Sequence, residues 1–200
     1  MADSASARFT NRHPAIDVRI SATTDMLNLE RSLIDIAIRY CPPEMVPEGT
    51  LRLFGEEILP VCSPALLRDR SRPLKRPQQL KEHTLLHFDY PGAVKSFMDW
   101  GTWLSALGLG DLNPVRALHF SQYEQMIQAA LNGQGVALGR YPLVNDLIQS
   151  GALVAPFKDA VVGSRSYFLI ESSAAGGKSH VHHFVEWLLD EIKRDSASSR

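Results

Sequence analysis

Ser121, Gln122, Tyr123 and Glu124 are the residues whose types and spacing come closest to a binding site. They follow a short apolar run at 117–120 and lead into a helical period. Tyr123, Met126, Ile127, Ala130 and Leu131 recur at i, i+3, i+4, i+7 and i+8, one buried face of a helix. Ser121 and Glu124 have the spacing of a capping box, in which the hydroxyl takes a free amide and the carboxylate reaches back. A strand that feeds a capped helix leaves the first amides of that helix aimed at open space beside the strand's carboxyl end. Such a place can hold a carboxylate or another small polar group. The same pattern also serves as a plain crossover with a good cap. Arg140, together with these amides, points to an anionic ligand.

Other reactive types do not assemble into a catalytic pattern. His180, His182 and His183 cluster at a helix start, but only His180 and His183 share a face, and no cysteine or acid stands at ligand spacing. The reading is a helix start with no metal. Asp89, Asp99 and Glu124 are not spaced as an acid–base pair. There is no Gly-x-Ser-x-Gly elbow and no phosphate loop. Gly133-Gln134-Gly135 follows a helix rather than a strand, so it is no dinucleotide fingerprint. No catalytic residue and no cofactor are assigned, and the chain reads as a non-enzyme. Residues 68–81 carry Arg68, Arg70, Arg72, Lys75, Arg76 and Lys81, which could grip phosphate. Pro73, Pro77 and the lack of interleaved aromatics favour a solvated connector.

The elements that must position these residues follow from pattern. At 200 residues, 44% hydrophobic, 22% charged and net charge −1, the balance is that of a globular protein without a dominant nucleic-acid surface. No apolar run is long enough to span a membrane, and the opening residues do not read as a signal peptide, so a cytoplasmic setting is expected. Cys41 and Cys62 read as free thiols. Residues 1–7 read as a tail. Ile16, Val18 and Ile20 alternate with polar residues as a half-buried strand, and Thr23-Thr24-Asp25 caps a short helix bearing Met26, Leu29 and Leu33. Residues 34–40 form a second strand. Two strands at 51–54 and 56–62 follow, then a short helix from Pro64. Thr84–Phe88 opens a second series, with a helix whose apolar face holds Phe97, Trp100, Trp103, Leu104 and Leu107. Residues 136–139 are a buried strand, Pro142 starts a helix, 153–157 and 165–171 are strands, and an amphipathic helix closes the chain. Strands alternating with helices imply an α/β protein with mainly parallel sheets.

Several segments resemble the effector-binding (substrate-binding) domain of LysR-type transcriptional regulators, in the branch of glycine-cleavage activators and β-lactamase regulators. They are Arg12-His13-Pro14-Ala15-Ile16-Asp17-Val18-Arg19, Ile34-Asp35-Ile36-Ala37-Ile38-Arg39-Tyr40, Glu57-Ile58-Leu59-Pro60-Val61-Cys62-Ser63-Pro64 and Leu85-Leu86-His87. The most specific is Gln128-Ala129-Ala130-Leu131-Asn132-Gly133-Gln134-Gly135-Val136-Ala137-Leu138-Gly139-Arg140, followed by Gly151-Ala152-Leu153-Val154 and Phe184-Val185-Glu186-Trp187-Leu188-Leu189. The resemblance covers residues 8–193.

It implies two Rossmann-like lobes of the type II periplasmic-binding-protein kind, joined by two crossover segments. Lobe one would hold residues 8–80 and 178–195, lobe two 83–168, with hinges at 81–82 and 169–177. A small-molecule effector would contact Thr23 and Thr24 from lobe one, and Phe88, Asp89, Ser121, Gln122 and Tyr123 from lobe two. The protein would act as a homodimer or tetramer in bacterial transcription regulation. It would touch DNA only through an N-terminal helix-turn-helix domain that is absent from this chain. The family's first strand and most of its first helix also precede Arg12-His13-Pro14, so the chain is expected to be N-terminally truncated. The alternatives are a solute-binding protein of a transporter, or an enzyme on the same fold.

Overall fold

The computed structural model describes residues 2–23, 25, 27–89 and 99–198, with side chains described within 7–194 of that span. Thr24, Met26 and Phe97 lie outside the described residues. The chain divides into two compact units, residues 1–55 with 165–200 and residues 56–164. Two long strands carry the chain from one unit to the other: β2, Leu51–Val61, and β6, Val161–Glu171. The expected boundary near residue 81 therefore falls earlier. The reason is pairing: Glu57–Val61 of β2 lies antiparallel to Ala137–Tyr141, which ties residues 56–80 to the second unit. The two strands expected at 51–54 and 56–62 are this one continuous strand. The return crossing also falls inside a strand, between Ser164 and Arg165, rather than at 169–177.

The first unit begins with helix α1, Ala2–Arg12, where a tail was expected at 1–7. Phe9 explains the difference. It is buried, with ring centroids 5.2 Å from Phe184 and 5.1 Å from Trp187 on the closing helix α6, Ser179–Ser198. Arg8 pairs with the buried carboxylate of Glu191, and this bond holds that carboxyl below the usual range. Strand β1, Ile36–Cys41, runs antiparallel to β6, whose other neighbour is β2.

Residues 16–20 do not form the expected strand. Ile16 and Val18 are half-buried, yet the segment joins no ladder among the described residues, and Ile20 is exposed. The helix expected after residue 25 is a single turn at 29–33. Asn28 accepts from the Arg31 amide, and Leu33 ends the turn at φ 53°.

The second unit is organised by strand order β2, β5, β3, β4. Here β3 is Thr84–Phe88, β4 is Arg116–Phe120 and β5 is Val136–Tyr141. Strand β3 is parallel to both β4 and β5, while β2 and β5 are antiparallel, so the sheet is mixed rather than mainly parallel. Alternation sends successive side chains to opposite faces. Leu85, Val136 and Leu138 join Trp100 and Trp103 of helix α3, Trp100–Ala106, while Leu86 and Ala137 join Met126, Ile127 and Ala130 of helix α4, Tyr123–Leu131. The helices α2, Pro64–Arg68, and α5, Asn145–Gln149, are short. The helix expected from Pro142 starts three residues later, and of the strand expected at 153–157 only a bridge from Val154 to Cys62 forms. Gly133 closes α4 at φ 71°, the left-handed stop that its position after Asn132 predicts.

Candidate functional site

Strands β3 and β4 run in register, His87 beside His119 and Phe88 beside Phe120. Both end together, and the Asp89 amide donates to the Phe120 carbonyl at 2.8 Å. This bond extends the ladder one residue past β3 and delivers Asp89 and Ser121 side by side at the carboxyl ends of two parallel strands. Ligands collect at such ends because loops and helix N-termini converge there.

The expected capping box is absent. Helix α4 starts at Tyr123, so Gln122 takes the cap position and offers no side-chain bond. Glu124 is then the second helical residue rather than the third, out of reach of the box. Ser121 and Gln122 stay exposed, with their polar groups presented to solvent.

The residues beside them are closely linked. The Tyr123 hydroxyl accepts from the Arg140 amide at 2.8 Å, and its ring meets Phe88 edge-on at 6.1 Å. The Arg140 guanidinium lies over both rings, 4.9 Å from Tyr123 and 5.8 Å from Phe88. Its Nε is 3.7 Å from a carboxylate oxygen of Glu56, whose side chain is wholly buried. Gly163 makes the room: a Cβ there would lie 2.6 Å from Glu56 Cγ. Arg140 was expected to draw an anion, but Glu56 already offsets its charge within the same unit.

A second polar feature borders this one. The Asp89 carboxylate sits 3.0 and 3.2 Å from His119 Nδ1, and the His119 ring stacks on His87 at 4.6 Å. Burial lowers the His87 pKa, the neighbouring His119 adds to the effect, and Asp89 and Asp99 act against it.

The structure thus brings Phe88, Asp89, Ser121, Gln122 and Tyr123 together. Thr23 belongs to the first unit, where its hydroxyl accepts from the Asp25 amide at 3.1 Å. Glu56, His87, His119 and Gly163 were not picked out from the sequence. A glycine inside a strand-like stretch signals a close approach, which was the available hint for Gly163. His182 faces Glu186 at 3.2 Å and His183 stacks on His13, and no cluster of three or more metal-ligating side chains occurs among the described residues. Cys62 is a buried free thiol whose pKa burial pushes up to about 12, well away from reactivity at neutral pH.

A family model described as the LysR substrate binding domain matches residues 4–193. The chain belongs to that family. The glycine cleavage system transcriptional activator of Escherichia coli (strain K12) is 37% identical over 183 residues, which is 90% of this chain and 57% of that protein. The HTH-type transcriptional regulator DsdC of the same organism is 32% identical over 192 residues, 94% of this chain and 60% of its own length. The LysR-family chain thus spans well under two thirds of these relatives. Among solved structures, the effector domain of the transcriptional regulator AmpR of Pseudomonas aeruginosa aligns with a TM-score of 0.70 at 28% identity, covering 98% of this chain and 89% of that one. CrgA of Neisseria meningitidis, at 21% identity and a TM-score of 0.69, shares the LysR-type fold. No described helix is long and apolar enough to cross a membrane.

Proposed function

We propose that this chain is the effector-sensing part of a LysR-type transcriptional regulator, and that it signals without turning its ligand over. The match to the substrate-binding family over residues 4–193 carries this reading. The effector meets the exposed groups of Asp89, Ser121 and Gln122 and the first amides of α4, above the Tyr123–Arg140–Glu56 brace. Those amides carry the positive end of the helix dipole, so an anionic group of the effector belongs there. In the whole protein, DNA binding rests with the part of the relatives' length that this chain does not cover. Assembly into a homodimer or tetramer uses edge strand β4, whose residues 116–119 are exposed on both faces, with Leu118 among them.

The test is a thermal-shift screen of small metabolites against the chain and its Ser121→Ala variant. A ligand at a hundred times its Kd stabilises by about 2.7 kcal/mol, an easily read shift. The reading requires at least one compound whose shift shrinks in the variant. Mass-spectrometric conversion of that compound by the chain would contradict the sensing role.

A further inference from the structure

Residues 68–81 read from sequence as a solvated connector; the structure keeps their cations exposed and ties the segment together with local hydrogen bonds. The Asp69 carboxylate accepts from the Ser71 amide at 3.0 Å, the Ser71 hydroxyl at 2.6 Å and Arg72 Nε at 3.1 Å. These bonds, those from Ser71 foremost, hold its carboxyl below the usual range. The Gln79 side-chain oxygen accepts from the amides of Lys75 and Arg76 at 2.7 and 3.0 Å. Leu74 and Leu80 are buried in the core of the second unit.

The charge on this platform is segregated. Six of the chain's 21 Lys and Arg fall within it, against one of its 22 Asp and Glu, while the whole chain nets −1. All six cations are exposed. Among the described residues only Arg72 has an acid within ion-pair distance, Asp69 at 3.1 Å. The platform borders a groove of about 720 Å³ lined by Leu67, Asp69, Arg70, Pro73, Leu74, Lys75 and Pro156. Its apolar part is Leu67, Pro73, Leu74 and Pro156, its cations are Arg70 and Lys75, and its one carboxylate is already engaged by Ser71 and Arg72. The groove shares no residue with the site around Tyr123.

We propose that this groove docks an acidic segment of a partner protein that carries one large apolar side chain. The apolar side chain enters among Leu67, Pro73, Leu74 and Pro156. Carboxylates on either side of it meet Arg70 and Lys75, with the remaining cations of 68–81 adding long-range attraction. A duplex fits less well. Its phosphates would meet the cations but leave the apolar floor uncovered, and the platform's only helix of its own, a short 3-10 turn at Pro77–Glu82, is too small to fill a DNA groove. Single strands need aromatic stacking, which the platform lacks.

Fluorescence anisotropy on the intact chain tests this with three labelled probes of equal charge: an acidic peptide with a central leucine, the same peptide with serine at that position, and a short DNA duplex. The leucine peptide should bind about tenfold more tightly than the serine peptide, the effect of burying one such side chain. Raising salt should weaken both. R70Q/K75Q should abolish binding, and L67A should erase the difference between the peptides. K193E, a charge change on the exposed side of α6, should leave binding unchanged, with melting curves showing that each variant folds. The proposal is overturned by tighter binding of the duplex, by equal binding of the two peptides, by equal loss in K193E, or by no peptide binding at millimolar concentration. It also fails if R70Q/K75Q changes only the chain's self-association.

Discussion

Residues 16–33 and residues 116–131 carry the same pattern: an alternating or apolar run, a polar turn, then apolar residues at helical spacing. One folds as that pattern expects and the other does not. At 116–120 the run has β3 beside it in full register, and the helix that follows buries Met126, Ile127, Ala129 and Ala130. At 16–20 no strand lies alongside among the described residues. The turn after it leaves Leu33 at 92% exposure with a positive φ and Ile20 at 75% exposure. Alternation specifies which side chains share a face, but a strand exists only when a neighbour completes its hydrogen bonds. The consequence is that Ser121, in the second unit, lies beside the Tyr123–Arg140–Glu56 brace, whereas Thr23, in the first unit, stands on an irregular segment.

The largest effect should come from breaking the brace. Arg140→Met removes the cation beside the buried Glu56 carboxylate and should destabilise by about 3–5 kcal/mol, read by urea denaturation. A loss below 1 kcal/mol would show that Glu56 does not depend on Arg140. Next comes a matched pair across the two regions. Met126→Ala should cost about 2–4 kcal/mol, because it empties a buried site on α4. Ile20→Ser should cost under about 0.5 kcal/mol. Equal losses would erase the contrast.

How far the sequence could be read follows the same line. The helix face of α4, its stop at Gly133 and the buried run of β5 depend on local spacing, and all three appear as expected. The capping box failed because its two residues fit only if the helix starts one residue before Tyr123, and the helix start is set by where β4 ends. Residues 2–7 read as a tail because Ala and Ser carry no apolar period. Their helix is anchored by Phe9 docking on α6, a contact to a segment some 170 residues away. Glu56 was invisible for a related reason. An acid in a strand reads as solvent-facing, and only the fold brings Arg140 and the bare Gly163 against it. The five proposed contact residues of the second unit come from the family resemblance, and the structure groups them at the paired ends of β3 and β4 and the start of α4.

Smaller effects sharpen the comparison. Leu33→Gly should stabilise by up to about 1 kcal/mol, since glycine adopts the left-handed conformation without a Cβ penalty. A destabilising result would mean that Leu33 is held in place by a contact. The smallest effect concerns His87. Its pKa in the folded chain lies below the ordinary value, so the unfolded chain binds the proton first as pH falls. Stability is complete above the ordinary histidine pKa of about 6.5 and declines as pH drops from there through the folded value. His87→Gln should flatten that decline in melting curves taken between neutral and mildly acidic pH, and an unchanged slope would assign it elsewhere.

The central claim is that a small effector sits at the paired ends of β3 and β4 and on the first turn of α4. The direct test is amide chemical-shift mapping of a stabilising compound on the isotope-labelled chain. The account predicts the largest shifts at Asp89, Ser121, Gln122 and Tyr123, with saturation as the compound is added and no product formed. Shifts confined to other residues, with these four unmoved, would contradict it.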